Sequence, residues 1–367
     1  MSSQVRDDIV IVFGTTGELI KLFPVIHALE NHGIAPQLWC TAQQVEELPM
    51  AIESLGILTP VEWMTHGRGG DSLRSKKDVL IWLVHVTLKF TARLRRIRRT
   101  SRSGVFIVHG DTMTTAVAAF FGRLGGGRVV HIEAGMRSGD IRNPFPEELS
   151  RRFVAKVADI NYAPGDIPVS NLNGCRGEVI DTKLNTVVDA LRLAQTAGGN
   201  DNRSGFGLVS LHRSELYEDR EAFQRILETL ASHARTHKLV FIDHPVTAER
   251  IRELGLDDLL SSPNFERVEK LEYFDFISLL GRASYVVTDS GGLQQECEIT
   301  GHPCVVHRAV TESTWKLDKN IVLSRLDCAV VERFLENPEK FRASDTGISI
   351  SPTEVVIADF AARGIIR

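Results

Sequence analysis

The feature that most constrains this chain is a repeating unit: a short apolar run, a turn, then a segment with apolar residues at helical spacing. Residues 9–13 form such a run, closed by Gly14, and residues 18–30 follow with helical periodicity. The unit recurs, with strand character at 38–40, 105–108, 128–132 and 160–163 and helix character at 44–55, 72–99, 114–124 and 147–158. A polar stretch rich in Gly and Asn, between Thr196 and Ser204, then marks a surface connection. A second series follows it. Its strands are expected at 207–211, 238–242, 265–268, 285–288 and 304–307, and its helices near 221–236, 249–254, 273–282 and 293–300. Such alternation predicts an α/β chain with right-handed crossovers and mostly parallel sheets covered on both faces. The segment 352–367 reads as a helix that could return to the first series.

A chain of 367 residues exceeds the size at which single cores usually stop growing, so two domains are expected, although length alone also admits a one-domain barrel. A net charge of -4 gives no electrostatic case for nucleic acid. The basic run from Arg93 to Arg102 therefore reads as a solvated helix end. The five cysteines are scattered and contain no Cys-x-x-Cys pair, which argues against a disulfide framework or a zinc site and favours a reducing cytoplasm. Met1 to Asp8 is polar, without the apolar region of a signal peptide. The longest apolar stretch, 79–90, is too short to span a bilayer and is expected to be a core helix. No membrane partner is expected.

In open parallel sheets ligands bind beyond the carboxyl ends of strands, so polar residues just after expected strands are the places to look for chemistry. Three stand out. The first turn, Gly14-Thr15-Thr16-Gly17-Glu18 with Lys21 beyond it, offers backbone amides at a helix start, which suit phosphate, and a point charge in Lys21. A plain strand-to-helix turn explains it as well, and it is not a dinucleotide fingerprint. The second place is His109-Gly110-Asp111-Thr112 after one strand and Glu133-Ala134-Gly135-Met136-Arg137 after the next, with Glu147 and Arg151 on one face of a following helix. Acids beside arginines can hold different protonation states in one pocket, as acid–base chemistry at carbon requires; a structural ion-pair network is the other reading. The third is Asp289-Ser290-Gly291-Gly292 opening a helix that carries Glu296. It is either a diphosphate cradle with a carboxylate for ribose hydroxyls or only a helix cap.

These clusters, in this order, resemble the UDP-N-acetylglucosamine 2-epimerases. The resemblance runs through His109-Gly110-Asp111-Thr112, Glu133-Ala134-Gly135-x-Arg137-x-Gly139-Asp140, Pro146-Glu147-Glu148-x-x-Arg151, Asn185 to Ala190, His212-Arg213, His244-Pro245, Asp289-Ser290-Gly291-Gly292-x-Gln294-x-Glu296 and Thr311-Glu312. It implies a GT-B fold: two Rossmann-like domains with parallel sheets facing a central cleft. The first domain would cover 1–184 together with the returning helix 352–367, and the UDP-binding domain 185–351. It implies inversion at C2 of the sugar by anti elimination of UDP to 2-acetamidoglucal and return of UDP with protonation at the other face. Asp111, Glu133 and Glu147 are then the acid–base candidates and His212 assists the departing diphosphate. Lys21, Arg151 and His244 would line the cleft, and Ser290, Gly291, Gly292 and Glu296 would hold UDP. No metal or redox cofactor is implied, and a homodimer is.

The sequence also departs from the family pattern. Thr16-Gly17 stands where the family has Arg-Pro, and Ser214 and Ser313 stand where it has arginine. After Gln43, Gln44 and Val45 replace a usual His-Arg pair. Missing cations of this kind are compatible with either a divergent epimerase without the usual activation by its own substrate or a hydrolysing member that releases UDP and N-acetylmannosamine. A GT-B glycosyltransferase or a UDP-sugar binding protein would share the fold and the nucleotide cradle.

Overall fold

The computed structural model describes residues 4–67, 76–100, 104–140, 146–197, 205–311, 313, 316–343 and 349–366. The chain divides into two compact units, residues 1–193 with 350–367 and residues 194–349.

The first unit is built on a seven-stranded parallel sheet. Its strands are β1 (Gln4–Phe13), β2 (Ile34–Cys40), β3 (Val61–Trp63), β4 (Val105–His109), β5 (Arg128–Ile132), β6 (Ile160–Ala163) and β7 (Glu178–Asp181), in the spatial order β3-β2-β1-β4-β5-β6-β7. All five residues of β4 are buried, as a central parallel strand requires when helices cover both faces. Strand order reverses between β1 and β4, which makes the carboxyl end of that pair the crevice for a ligand.

The second unit carries a six-stranded parallel sheet: β8 (Phe206–Ser210), β9 (Lys238–Asp243), β10 (Phe265–Glu269), β11 (Tyr285–Thr288), β12 (Cys304–Val306) and β13 (Ile321–Leu323). In its order, β10-β9-β8-β11-β12-β13, the reversal falls between β8 and β11. Residues just beyond those two strands include His212 and Asp289.

Three sequence expectations change here. The helix expected at 72–99 runs over Lys76–Thr100, and its apolar stretch 79–90, expected to be core, contributes only Trp82, Val86 and Phe90 to a single buried stripe that continues to Ile97. Leu80, Val84 and Leu88 are exposed on its other side, so the apolar run covers two faces and only one is core. The expected helix at 44–55 begins at Leu48, with Pro49 in its first turn. The compact units divide later than the expected junction near Asn185. Helix Val187–Ala197 is tied to the first unit by Asp189, which accepts from the Thr353 amide at 2.8 Å, and by Arg192, which donates to the Ile350 carbonyl at 3.0 Å.

The last helix, Pro352–Ala362, belongs to the first unit. The Tyr162 hydroxyl in β6 donates to Asp359 at 2.6 Å, Phe360 packs edge-on against the Tyr162 ring, and Arg363 bridges Asp359 to Glu178 in β7.

Candidate active site

In the first unit the turn after β1 is organised by Glu18. Thr15 caps helix Thr16–Asn31 by accepting from the Glu18 amide, and the Glu18 carboxylate reaches back to accept from Gly14 N at 2.8 Å and Thr15 N at 3.0 Å, a capping box. The second carboxylate oxygen accepts from the Thr112 hydroxyl at 2.6 Å. Glu18 is fully buried. Burial pushes its pKa up, against the pull of Thr112 and the Gly14 amide. The Thr16 amide donates to Gln44 Oε1 at 2.8 Å. The amides expected to cradle phosphate are therefore engaged by Glu18 and Gln44. What the turn does instead is lock itself to the Asp111-Thr112 turn.

Lys21, farther along the same helix, places Nζ 2.6 Å from Glu133 Oε2. Glu133 follows β5 with φ +61°, a left-handed conformation that costs a side-chain-bearing residue about 1–2 kcal/mol and is concentrated at functional sites. The Asn185 side-chain Nδ2 donates to the same Oε2, and His109 Nε2 lies 3.3 Å from it. Burial opposes a charge on Glu133, but Lys21 and His109 outweigh burial and hold the carboxyl well below the usual range. Gly135, two residues on, has φ +83°, and a Cβ there would meet the Pro168 carbonyl oxygen at 2.2 Å. Only glycine fits that turn.

Asp111 is paired with Arg151, whose Nε and Nη2 lie 2.8 Å and 2.5 Å from Oδ2. Glu147 opens helix Glu147–Val157, and its Oε2 is buried without a hydrogen-bond partner among the described residues. The four-residue spacing puts Glu147 and Arg151 on one helix face, and Arg151 engages Asp111 and, at 3.5 Å, the wholly buried Glu148.

In the second unit the organiser is Asp289, buried beyond β11. Its carboxylate accepts from the His212 amide at 3.0 Å and the Arg213 amide at 2.9 Å, which fixes the loop after β8. Burial pushes the Asp289 pKa up, against His212 and these amides. The His212 and His244 rings are 4.5 Å apart, and His244 Nε2 is 3.1 Å from the Ser210 hydroxyl. Burial, with His212 and Lys270 nearby, lowers the His244 pKa to about 3. Ser290 caps helix Gly291–Thr300 by accepting from the Leu293 amide, so its hydroxyl has the cap role and its neighbours Gly291 and Gly292 sit in the first turn. A Cβ on Gly291 would lie 3.6 Å from Arg308 Nη1 and 3.9 Å from Arg213 Nη2, so two guanidinium groups flank this helix start. Glu296 is buried on the same helix. Burial and then the Glu296 carboxylate push the Tyr273 hydroxyl well above its usual pKa.

One of the neutral replacements has its own side-chain partner. Ser313 donates its hydroxyl to the buried Glu298 at 2.7 Å, and Gln294 donates to Glu298 at 3.0 Å and to the Ser313 carbonyl at 2.9 Å. The Thr16 backbone amide donates to Gln44 as described, and the Thr16 hydroxyl is buried without a hydrogen-bond partner among the described residues. Glu312 lies outside the described residues.

A sequence profile of the UDP-N-acetylglucosamine 2-epimerases matches residues 76–333. The chain belongs to this family. The Escherichia coli K12 UDP-N-acetylglucosamine 2-epimerase is 32% identical over 327 residues, covering 82% of each chain, and the Yersinia pestis enzyme is 30% identical over 344 residues, covering 85% of each. Among solved structures, the Neisseria meningitidis UDP-GlcNAc 2-epimerase bound to UDP-GlcNAc superposes with a TM-score of 0.78 at 25% identity, over 97% of this chain and 99% of that one. The fold is thus the GT-B fold of these epimerases.

Glu18 carries a legible signal, since Thr15-x-x-Glu18 before an apolar run is a capping box. Asn185 opens one of the motifs that carry the family resemblance, whereas Arg308 and Tyr273 carry no signal, because their partners are many residues away in sequence. Among the described residues no group of three His, Cys, Asp or Glu side chains could hold a metal ion, and no helix is long and apolar enough to cross a membrane.

Proposed function

We propose that this chain is a UDP-N-acetylglucosamine 2-epimerase that interconverts UDP-N-acetylglucosamine and UDP-N-acetylmannosamine. The observation that carries the reading is the Glu133 carboxylate, kept charged in a buried setting at the carboxyl edge of the first sheet, with Oε2 engaged by Lys21 and Asn185. A charged, oriented carboxylate is what abstraction of a non-acidic C2 hydrogen needs. Glu133 takes that proton as the C2–H pair forms the C1=C2 bond and UDP leaves C1. Asp111 and Glu147 are the groups that return a proton to the other face. His212, fixed by Asp289, assists the departing diphosphate, with Ser290, Gly291, Gly292 and Glu296 on the UDP and Lys21, Arg151 and His244 beside the sugar. Proton transfer and diphosphate stabilisation complete this chemistry without a redox cofactor.

A hydrolysing outcome is the second reading, favoured by neutral Thr16 and Ser313 where cations would grip diphosphate. Incubation with UDP-N-acetylglucosamine in deuterium oxide, followed by NMR, separates them. Epimerisation gives UDP-N-acetylmannosamine with deuterium at C2, and hydrolysis gives UDP and free N-acetylmannosamine. Neither product, and no deuterium at C2 after long incubation, refutes both.

The enzyme works in the cytoplasm, in keeping with its free cysteines Cys40, Cys175, Cys297, Cys304 and Cys328. It works as a homodimer. The first unit exposes Leu80, Val84 and Leu88 on one helix, Phe120 and Leu124 on the next and Phe153 on a third, and these helices are packed neighbours. A patch this apolar fits a second copy of the chain. Sedimentation of Val84→Glu/Leu88→Glu tests it: a monomer is expected, and a wild-type protein that sediments as a monomer refutes it.

A further inference from the structure

The Glu133 carboxylate is held unevenly. Lys21, Asn185 and His109 all approach Oε2, and no described residue donates to Oε1. His109 itself is unusual. Its side chain is 3% exposed, and neither ring nitrogen has a hydrogen-bond partner among the described residues. Buried polar atoms are nearly always bonded, because leaving one unpaired costs about 1–3 kcal/mol. Nε2 has Glu133 Oε2 before it at 3.3 Å, long for an N–H···O bond and within reach of a small rotation of the ring. Bonds of this kind often tighten only when the substrate binds.

We propose that His109 is a positioning residue: it donates its Nε2–H to Oε2 of Glu133 and, with Lys21 and Asn185, clamps that oxygen so that Oε1 alone exchanges a proton with the substrate carbon. The inference rests on the reading of Glu133 as the base. The three donors come from three separate segments, the end of β4, the first helix and the turn just before helix Val187–Ala197, so together they fix both the position and the rotation of the carboxylate. The charged and titratable groups that face this pair are Lys21 and Glu18 from the first helix and His131 from β5. His131 donates its Nε2–H to the Gly110 carbonyl at 2.7 Å. Burial holds His131 neutral, with a pKa of about 4, so it adds no cation beside His109 near neutral pH. In the proposed step the C2 proton moves to Oε1, its electron pair enters the C1=C2 bond, and the C1–O pair leaves with UDP. The His109 N–H stays in place throughout.

The test follows the ionisation of Glu133 by infrared titration of its carboxyl band, assigned by difference against Glu133→Gln, in wild type, His109→Ala and His109→Gln. Alanine removes a donor that favours the charged form, so the Glu133 midpoint rises; glutamine keeps an N–H donor of similar reach and restores it. In the same proteins the alanine variant loses about 10- to 100-fold in kcat with KM for UDP-N-acetylglucosamine nearly unchanged, the size seen when a group orienting a reactive ligand is removed. Should the alanine variant fail to fold, His109→Leu fills the volume and gives the same comparison. A midpoint unmoved by alanine or leucine overturns the inference whatever the rate does. A moved midpoint in a protein that never exchanges the C2 hydrogen upholds the clamp of His109 on Glu133 Oε2 and sinks the proposed function, together with the role given to Oε1.

Discussion

Removing the Lys21 ammonium isolates the largest favourable influence on Glu133. In the folded protein Nζ is 2.6 Å from Oε2, and the two side chains are 19% and 11% exposed. Opposite charges about 4 Å apart at an effective dielectric near 20 attract by about 4 kcal/mol, and breaking a buried pair by deleting one partner costs about 3–5 kcal/mol. Asn185 and His109 remain to support the carboxylate, and Lys21 keeps some contact with water, so Lys21→Met is expected to lose about 3 kcal/mol of stability at pH 7.5. The pH dependence gives the sharper check. In wild type the Glu133 pKa is depressed on folding, so its contribution is complete above the unfolded value of about 4.3 and is lost only as pH falls through the lower folded value. Without Lys21, burial dominates and the folded pKa rises above the unfolded one. The penalty is then greatest at neutral pH and fades as Glu133 takes up a proton. Urea unfolding at pH 7.5, 6.5 and 5.5 should show the gap between wild type and Lys21→Met narrowing with acid, and Lys21→Met/Glu133→Gln should regain most of the loss. A gap below about 0.5 kcal/mol, the ordinary scatter of surface substitutions, or a gap independent of pH would refute the assignment.

Other expectations follow from the same geometry. Tyr162→Phe deletes the hydroxyl that donates to Asp359 at 2.6 Å, and is expected to cost about 1.5–3 kcal/mol, with faster amide exchange confined first to helix Pro352–Ala362. Gly135→Ala must hold φ +83° and clear the Pro168 carbonyl, so a loss above about 1–3 kcal/mol in urea unfolding is expected; a neutral result would mean this turn adjusts freely. His244 titrates near pH 3 in the folded protein and near 6.5 when unfolded, so the unfolded chain binds the extra proton between those values and acid favours unfolding there. His244→Gln should flatten the fall in the urea midpoint from pH 6.5 to 4, and an unchanged slope would show that His244 is already charged.

The sheets were legible because their central strands are short runs of Val, Ile and Phe buried on both faces, as in β4 and β11. The edge strands β3, β7 and β13 escaped notice. Val61–Trp63 and Glu178–Asp181 are only half-buried and mix charge with apolar residues, so a hydrophobic run does not mark them. Asp111 and Glu133 could be placed at one sheet edge because each directly follows a parallel strand. Their partners could not be read. Arg151 turns to Asp111 rather than to Glu147, and Asn185 reaches Glu133 from 52 residues away, because local periodicity carries no information about distances between elements. The first turn misled for a related reason: its glycines and threonines have phosphate-binding composition, but Glu18, four residues from Gly14, takes the amides.

The bond from Tyr162 to Asp359 joins residues 197 apart, with the whole second unit between them. During synthesis at 5–20 residues per second, roughly 10–40 s separate the emergence of the two partners. Until then β6 has no Phe360 against Tyr162, and Asp189 has no Thr353 amide. The first unit is therefore begun first but finished last, after its neighbour has had time to fold. A ribosome paused before residue 350 should carry a first unit that is open to protease at β6 and β7 while the second is already resistant.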